Sequence, residues 1–165
     1  MTGETILLYD EKRKSDGEKI KNKELLLYSA QKAVGMVSLA SAECAEHEEV
    51  YFAIGTAIHW IADCIDRIPE SIVKTEDKKL FSAIRCVNNC LKHNVNFREA
   101  HKTDIDFPFD FPFDFGAKYI WTDINGVEIK MTGQKNNYDK ELNGKNVHET
   151  LLEALELINK YYSKI

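Results

Sequence analysis

The sequence predicts a mainly α protein: an antiparallel up-and-down bundle of about four helices, with an extended strap and a β-hairpin inserted before the last helix. Apolar residues recur at helical spacing through residues 23–93 and again through 146–165. The connections between the early helices are short, which favours antiparallel neighbours. A segment rich in Phe and Pro separates the two helical parts. It leads into two β-rich runs around Asn125-Gly126, a dipeptide preferred in type I′ hairpin turns.

The composition indicates one globular domain over residues 1–165. The chain has 44% hydrophobic and 30% charged residues, and it is long enough to bury a core without disulfides or a structural metal. No apolar run approaches the roughly 20 residues of a bilayer-spanning helix, and the charged N-terminus lacks the apolar core of a signal peptide. Most of the cysteines lie in helical patterns instead of among turns. We therefore expect reduced thiols, a cytoplasmic location and no membrane contact.

The net charge of −5 limits the classes of partner. Proteins that bind duplex nucleic acid over a broad surface need many Lys and Arg residues to replace counterions. The two basic clusters of this chain, at residues 12–14 and 19–23, are short and interrupted by acidic residues. Any contact with RNA is therefore expected at a small, focused site.

The first two helices are predicted from an apolar pattern that begins at Lys23, whereas residues 1–21 have no clear assignment. The second helix covers 48–68 and ends before Pro69, because proline blocks helix continuation. It is apolar on most sides, so we expect it at the centre of the bundle. The apolar residues of the first helix fall at mixed helical spacings: Leu25, Leu26, Tyr28, Ala33, Val37, Leu39 and Ala40.

The third helix is predicted to begin after Thr75, which is a suitable N-cap because acidic residues follow it in the first turn. We expect the helix to end near His93, where Asn94 closes it in a left-handed conformation. The last helix is predicted to begin at Asn146, which forms a capping box with Glu149.

An insertion over residues 95–145 separates the third helix from the last one. Its Asp-Phe-Pro-Phe repeat, within 104–116, predicts an extended strap because proline pushes the preceding residue towards extended geometry. The hairpin covers 118–133, and a polar loop is expected after it. A binding role for the acidic, aromatic strap is one alternative to simple packing on the helices.

One edge of the third helix carries the densest group of polar side chains. Arg85, Asn89 and His93 are spaced i, i+4 and i+8 and form a row along this edge, with Asn88 and Lys92 beside it. The opposite side is apolar and predicts the buried face of the helix: Leu80, Ala83, Val87 and Leu91.

Three kinds of chemistry compete for this helix. A metal site at Cys86, Cys90 and His93 lacks the second Cys/His pair of a zinc finger, so we predict no metal and no cofactor. A cysteine nucleophile has no other residue to support acyl transfer. Metal-free phosphoester chemistry suits the row better. An imidazole can transfer protons near neutral pH, and the guanidinium of Arg85 can hold a phosphate.

The bundle with this polar row, "RCVNNCLKHN", resembles the HEPN superfamily, which includes toxin, phage-defence and CRISPR-associated ribonucleases and non-catalytic relatives. The family motif is an arginine, four to six residues, then a histidine, often with a polar residue just after the arginine. The resemblance covers residues 22–165 and implies a homodimer with one composite, metal-independent site. It makes His93 the general acid/base, Arg85 the phosphate ligand and Asn89 the orienting residue.

The spacing departs from the motif, because seven residues separate Arg85 from His93. In the alternative register Asn88 takes the arginine position, and only Arg85 or Lys92 could supply the positive charge from another angle. Two functions therefore stay open. The first is a non-catalytic or weakly catalytic interaction module of a bacterial or phage defence or toxin–antitoxin system, a homodimer with a protein partner such as an antitoxin or effector. The alternative is an endoribonuclease that uses His93 and Arg85, with RNA at a focused site.

Overall fold

A computed structural model describes residues 20–43, 45–101, 109–110, 119–124 and 129–165; for residues 47, 93–101 and 109–110 it describes the backbone alone. These ranges contain five α-helices, and the prediction of a mainly α chain is confirmed. A 3₁₀ turn at Glu70–Ile72 joins the second helix to the third. The helices are α1 (Lys23–Ala42), α2 (His47–Asp66), α3 (Thr75–His101), α4 (Thr132–Glu141) and α5 (Val147–Tyr162), and the strands are β1 (Phe109–Asp110) and β2 (Ile120–Trp121).

Hydrogen bonds between helix ends define the direction of the helices. The Lys23 ammonium at the start of α1 donates to the carbonyl of Tyr162 at the end of α5, at 3.0 Å. The Tyr162 hydroxyl donates to the carbonyl of Cys64 near the end of α2, at 2.9 Å. The Lys74 amide, just before α3, donates to the Tyr161 hydroxyl of α5 at 3.0 Å. Thus α1 and α3 begin where α2 and α5 end, which is an up-and-down arrangement.

The core lies between these four helices, and α2 supplies many of its fully buried isoleucines, as expected for a central helix. The predicted apolar face of α3 is buried as a whole. At the start of α5 the Asn146 side chain accepts a hydrogen bond from the Glu149 amide at 2.9 Å, which confirms Asn146 as the N-cap; the reciprocal bond of the predicted capping box is absent among the described residues. None of the helices in the described ranges combines the length and the apolar run that a bilayer-spanning helix requires.

Two boundaries in the predicted insertion are wrong. First, α3 does not end near His93 but continues through Asn94 to His101. Asparagine costs a helix interior only a few tenths of a kcal/mol, and no glycine or proline follows before Pro108 to stop it. Second, the expected polar loop contains α4, Thr132–Glu141.

Packing explains why the polar segment of α4 is helical. Tyr138 and Leu142, four residues apart, are both fully buried, and the Tyr138 hydroxyl donates to the carbonyl of Thr122. Tertiary burial of such a pair outweighs weak intrinsic helix propensity. The segment therefore adds a fifth helix to the described part of the chain, where about four were predicted for the whole.

The strand β2 pairs differently from the predicted hairpin. It lies antiparallel to β1, with Phe109 opposite Trp121, and its other side is hydrogen-bonded to the turn before α5. There the Trp121 amide donates to the Lys145 carbonyl at 3.0 Å, and the Gly144 amide donates to the Trp121 carbonyl at 2.9 Å. The Asn125-Gly126 turn and most of the strap lie outside the described residues, so those predictions stay untested.

Candidate functional site

The predicted phosphate arginine, Arg85, lies on α3 opposite the end of α2. Its Nε donates to Oδ1 of Asp66 at 2.7 Å, and both side chains are partly exposed to solvent. An exposed ion pair contributes less than about 1 kcal/mol to stability, but it directs the guanidinium towards α2. The terminal nitrogens of Arg85 make no hydrogen bond within the described residues. Arg85 is therefore partly engaged and partly available.

The rest of the polar row meets α4, the helix that the sequence did not predict. The Asn89 amide donates to Oε1 of Gln134 at 3.1 Å. About two turns earlier on α3, the Ser82 hydroxyl accepts a hydrogen bond from the Asn137 amide at 3.0 Å. These contacts make this part of the α3 edge an interface between two helices. Asn89 therefore has a structural partner on α4, and its predicted orienting role towards His93 stays a prediction.

Asn88 is buried, although the helical wheel placed it beside the polar row. It is 7% exposed, and its Oδ1 has no hydrogen-bond partner in the described part of the chain. A buried acceptor without a partner costs about 1–3 kcal/mol. A buried Asn88 side chain cannot contact a phosphate in solvent. Its burial therefore does not support the register in which Asn88 takes the arginine position of the family motif.

The two remaining predicted residues are at the distal part of α3. Lys92 is exposed and makes no ion pair among the described residues. The His93 side chain lies outside the described residues, so its predicted convergence with Arg85 stays a prediction.

The cysteines of α3 follow the core, as the sequence indicated. Cys86 is buried and Cys90 is half-buried, one helical turn further. A hydrogen bond with Cys90, together with burial, raises the pKa of the Cys86 thiol far above its ordinary value. Such a thiol is unreactive. No three His, Cys, Asp or Glu side chains in the described ranges come together as metal ligands.

A cleft opens beside Arg85, between the end of α2, the 3₁₀ turn, α3 and α4. Its volume is about 260 Å³, slightly below the range usual for small-molecule sites. Its base is apolar and its rim is mainly basic. The lining residues are Ile65, Ile68, Glu70, Val73, Lys78, Lys79, Phe81, Ser82, Arg85 and Asn137.

Comparison of the chain with protein-family models, with curated proteins and with solved structures finds no match. The chemistry of the site is therefore argued from its own residues. Sequence reasoning found Arg85 but missed Gln134 and Asn137, because it placed them in a loop. The signal was present: Tyr138 and Leu142 are the apolar residues at helical spacing in that segment.

Proposed function

We propose that the chain is a non-catalytic helical interaction module that associates with a second copy of itself. One observation carries this proposal: an exposed, mainly apolar stripe along α1. The setting comes from the family resemblance of the polar row. It is a HEPN-like component of a bacterial or phage defence or toxin–antitoxin system, with an antitoxin or effector as a further partner. The structural engagement of Arg85 and Asn89 supports the non-catalytic form of that resemblance.

The α1 stripe includes three of the apolar residues from which the sequence predicted the first helix. Leu25, Tyr28 and Leu39 are 65%, 62% and 56% exposed, whereas their neighbours Leu26, Ala33, Val37 and Ala40 are buried. Together with the exposed Lys32 and Gly35, these three residues occupy the spacing i, i+3, i+7, i+10 and i+14. This is the a/d repeat of a helix that packs along a second helix.

Two further features indicate that the α1 stripe is an interface. From Leu25 to Ala42 the helix carries one charged residue, Lys32, which is few for a helix with a solvated face. The neighbouring helix α2 exposes Phe52 and Trp60 as well. At roughly 100 Å² each, these five side chains present about 500 Å², more than half of the ~800 Å² that each partner buries in a standard interface.

A second copy is the occupant that these features favour. The stripe has no charge excess that would select an oppositely charged partner. Two-fold pairing places the same apolar side chains on both sides of the contact, so one α1 stripe covers the other. Lys32, the single charge within it, is the central residue of the stripe, so full overlap brings the two Lys32 residues close to each other, and their long side chains carry the ammonium groups out to solvent at the edge of the contact.

The substitution Leu39→Glu tests this proposal. We expect it to weaken self-association by about 100-fold, because each of the two copies places a carboxylate in the apolar contact. Leu152→Glu is the matched control, since it makes the same change at an exposed leucine of α5. Sedimentation velocity over a range of concentrations measures both. A monomeric wild-type protein, or equal association of the two variants, would contradict the proposal.

The endoribonuclease remains the second candidate because Arg85 keeps its terminal nitrogens available and Lys92 is exposed. We expect the purified protein to cleave RNA in EDTA no faster than the His93→Ala variant, since Asn89 is held by Gln134 and Arg85 by Asp66. Labelled single-stranded and hairpin RNA substrates measure the rate. Cleavage by the wild type that His93→Ala and Arg85→Gln both abolish would favour the enzyme instead.

A further inference from the structure

The cleft beside Arg85 combines an apolar base with hydrogen-bond donors. Ile65, Ile68 and Phe81 form much of the base, and all three belong to the buried core. The three side chains are only 1%, 6% and 2% exposed, so a ligand reaches their edges alone, and the half-buried Val73 completes the apolar side of the cleft. A volume of about 260 Å³ accommodates one aromatic ring or a branched carbon chain with a polar group.

The polar side of the cleft offers donors and few acceptors. Arg85 uses Nε for Asp66, which leaves the two terminal nitrogens of its guanidinium. The Ser82 hydroxyl accepts from Asn137, so its own O–H is able to donate to a ligand oxygen. Donors of this kind bind an anionic oxygen most strongly.

The charge of the rim is positive. The rim has three cations: Lys78, Lys79 and Arg85. The Lys78 ammonium lies 3.5 Å from the Glu70 carboxylate, and Arg85 is paired with Asp66, so two of the three have an acidic neighbour. The third cation, Lys79, makes no ion pair among the residues that the structure describes. The rim with Asp66 included therefore has one uncompensated positive charge, which attracts a ligand with one or two negative charges.

We propose that this cleft binds a small organic anion: an aromatic or branched apolar group that carries one phosphate or carboxylate. The apolar group lies on Val73 and on the exposed edges of Ile68 and Phe81. The anionic group accepts hydrogen bonds from the terminal nitrogens of Arg85 and from Ser82, with Lys79 nearby. This inference goes beyond the proposed interaction function and is independent of it, because the cleft contains no residue of the α1 stripe.

A titration with phenyl phosphate, followed by amide chemical shifts of the ¹⁵N-labelled protein, tests the proposal. We expect saturable shifts at Ser82, Arg85 and Asn137 with a Kd of about 1 mM or below. Benzyl alcohol lacks the charge and inorganic phosphate lacks the ring, so each is expected to bind at least about tenfold more weakly. Phenylacetate is the second anion; whichever of the two anions binds more tightly identifies the preferred acidic group.

Charge reversal at two exposed lysines provides the pair of variants. Lys79→Glu is expected to weaken binding of phenyl phosphate about tenfold, whereas Lys130→Glu, outside the cleft lining and before the start of α4, leaves it within about twofold. The absence of saturable shifts with both anions would overturn the proposal. So would equal binding of benzyl alcohol, or equal effects of the two variants. Self-association of α1 is measured separately and does not affect these outcomes.

Discussion

The variant Trp121→Ala is expected to lower the free energy of unfolding by about 3–5 kcal/mol, a large share of the stability of a domain of this size. Trp121 is fully buried, and its indole N–H donates to the Thr150 hydroxyl at 2.7 Å. Its ring also meets the edge of Tyr138 of α4, with 6.4 Å between the centroids. Truncation of Trp121 to alanine removes its apolar contacts with both α4 and α5. It also leaves a cavity that the two helices fill only in part.

The neighbouring residue provides the control. Ile120 belongs to the same two-residue strand but faces solvent, so Ile120→Ala is expected to cost less than about 1 kcal/mol. Urea unfolding monitored by far-UV circular dichroism measures both variants at one protein concentration. Similar losses for Trp121→Ala and Ile120→Ala would mean that β2 does not hold α4 and α5 together.

The second large effect is expected at the contact between the start of α3 and the end of α5. The Tyr161 hydroxyl donates to the Asp77 carboxylate and accepts from the Lys74 amide at 3.0 Å. Tyr161→Phe keeps the ring against Phe81 but removes the hydroxyl, leaving both partners without their bond. Because one of those partners is charged, we expect a loss of about 1.5–3 kcal/mol at neutral pH.

This effect is expected to depend on pH. Burial alone would raise the pKa of the Asp77 carboxyl, but hydrogen bonds from Tyr161 and Lys160 outweigh it, so its pKa lies below the ordinary value. A carboxyl with a lowered folded pKa contributes stability above its unfolded pKa and loses that contribution as the pH falls through the folded pKa. The difference between wild type and Tyr161→Phe should therefore shrink below about pH 4.

An exposed carboxylate serves as the comparison for this pH series. Asp63 lies 3.2 Å from Arg67 on the surface of α2, and Asp63→Asn is expected to change stability by less than about 0.5 kcal/mol at any pH. Thermal unfolding from pH 7 to pH 3 measures the three proteins together. A stability loss in Tyr161→Phe that is constant across this pH range would show that the contribution of the Tyr161 hydroxyl does not depend on the ionised form of Asp77.

The helices that the sequence predicted well are those with a local signal for their ends and a continuous apolar side. The end of α2 before Pro69 and the Asn146 cap of α5 have such signals, and the beginning of the apolar pattern marks the start of α1 at Lys23. The segment of α4 has a polar composition, and its Tyr138 and Leu142 are buried by parts of the chain distant in sequence, among them Trp121 of β2, which a local pattern does not contain. Its helix is decided by tertiary packing.

The faces of α1 show a second limit of prediction from pattern. Both sides of this helix carry apolar residues, so spacing alone did not separate Leu26 and Val37, which are buried, from Leu25 and Leu39, which are exposed. The positions of α2 and α5 decide between them, because both helices pack against α1. The proposed interface consists of apolar residues of α1 that the core of a single copy does not bury.

The candidate site shows the same limit. The helical wheel placed Arg85 on an accessible side of α3, and its side chain is partly exposed there. It could not predict that Gln134 and Asn137 would cover the neighbouring Asn89 and Ser82, because those partners are 45 and 55 residues away along the chain. Asn88, which the wheel set beside the polar row, is buried through the same packing of helices.

Contact between two copies along α1 is the central claim, and isotope-filtered NMR on an equal mixture of ¹³C-labelled and unlabelled chains tests it most directly. If the α1 stripes of two copies meet, cross-peaks connect the labelled methyl groups of Leu25 or Leu39 with the unlabelled ring of Tyr28. Such cross-peaks can arise only between copies, and they should disappear in Leu39→Glu and persist in Leu152→Glu. Absence of any cross-peak between copies in a sample that sedimentation shows to be dimeric would place the interface elsewhere and contradict the proposed role of the α1 stripe.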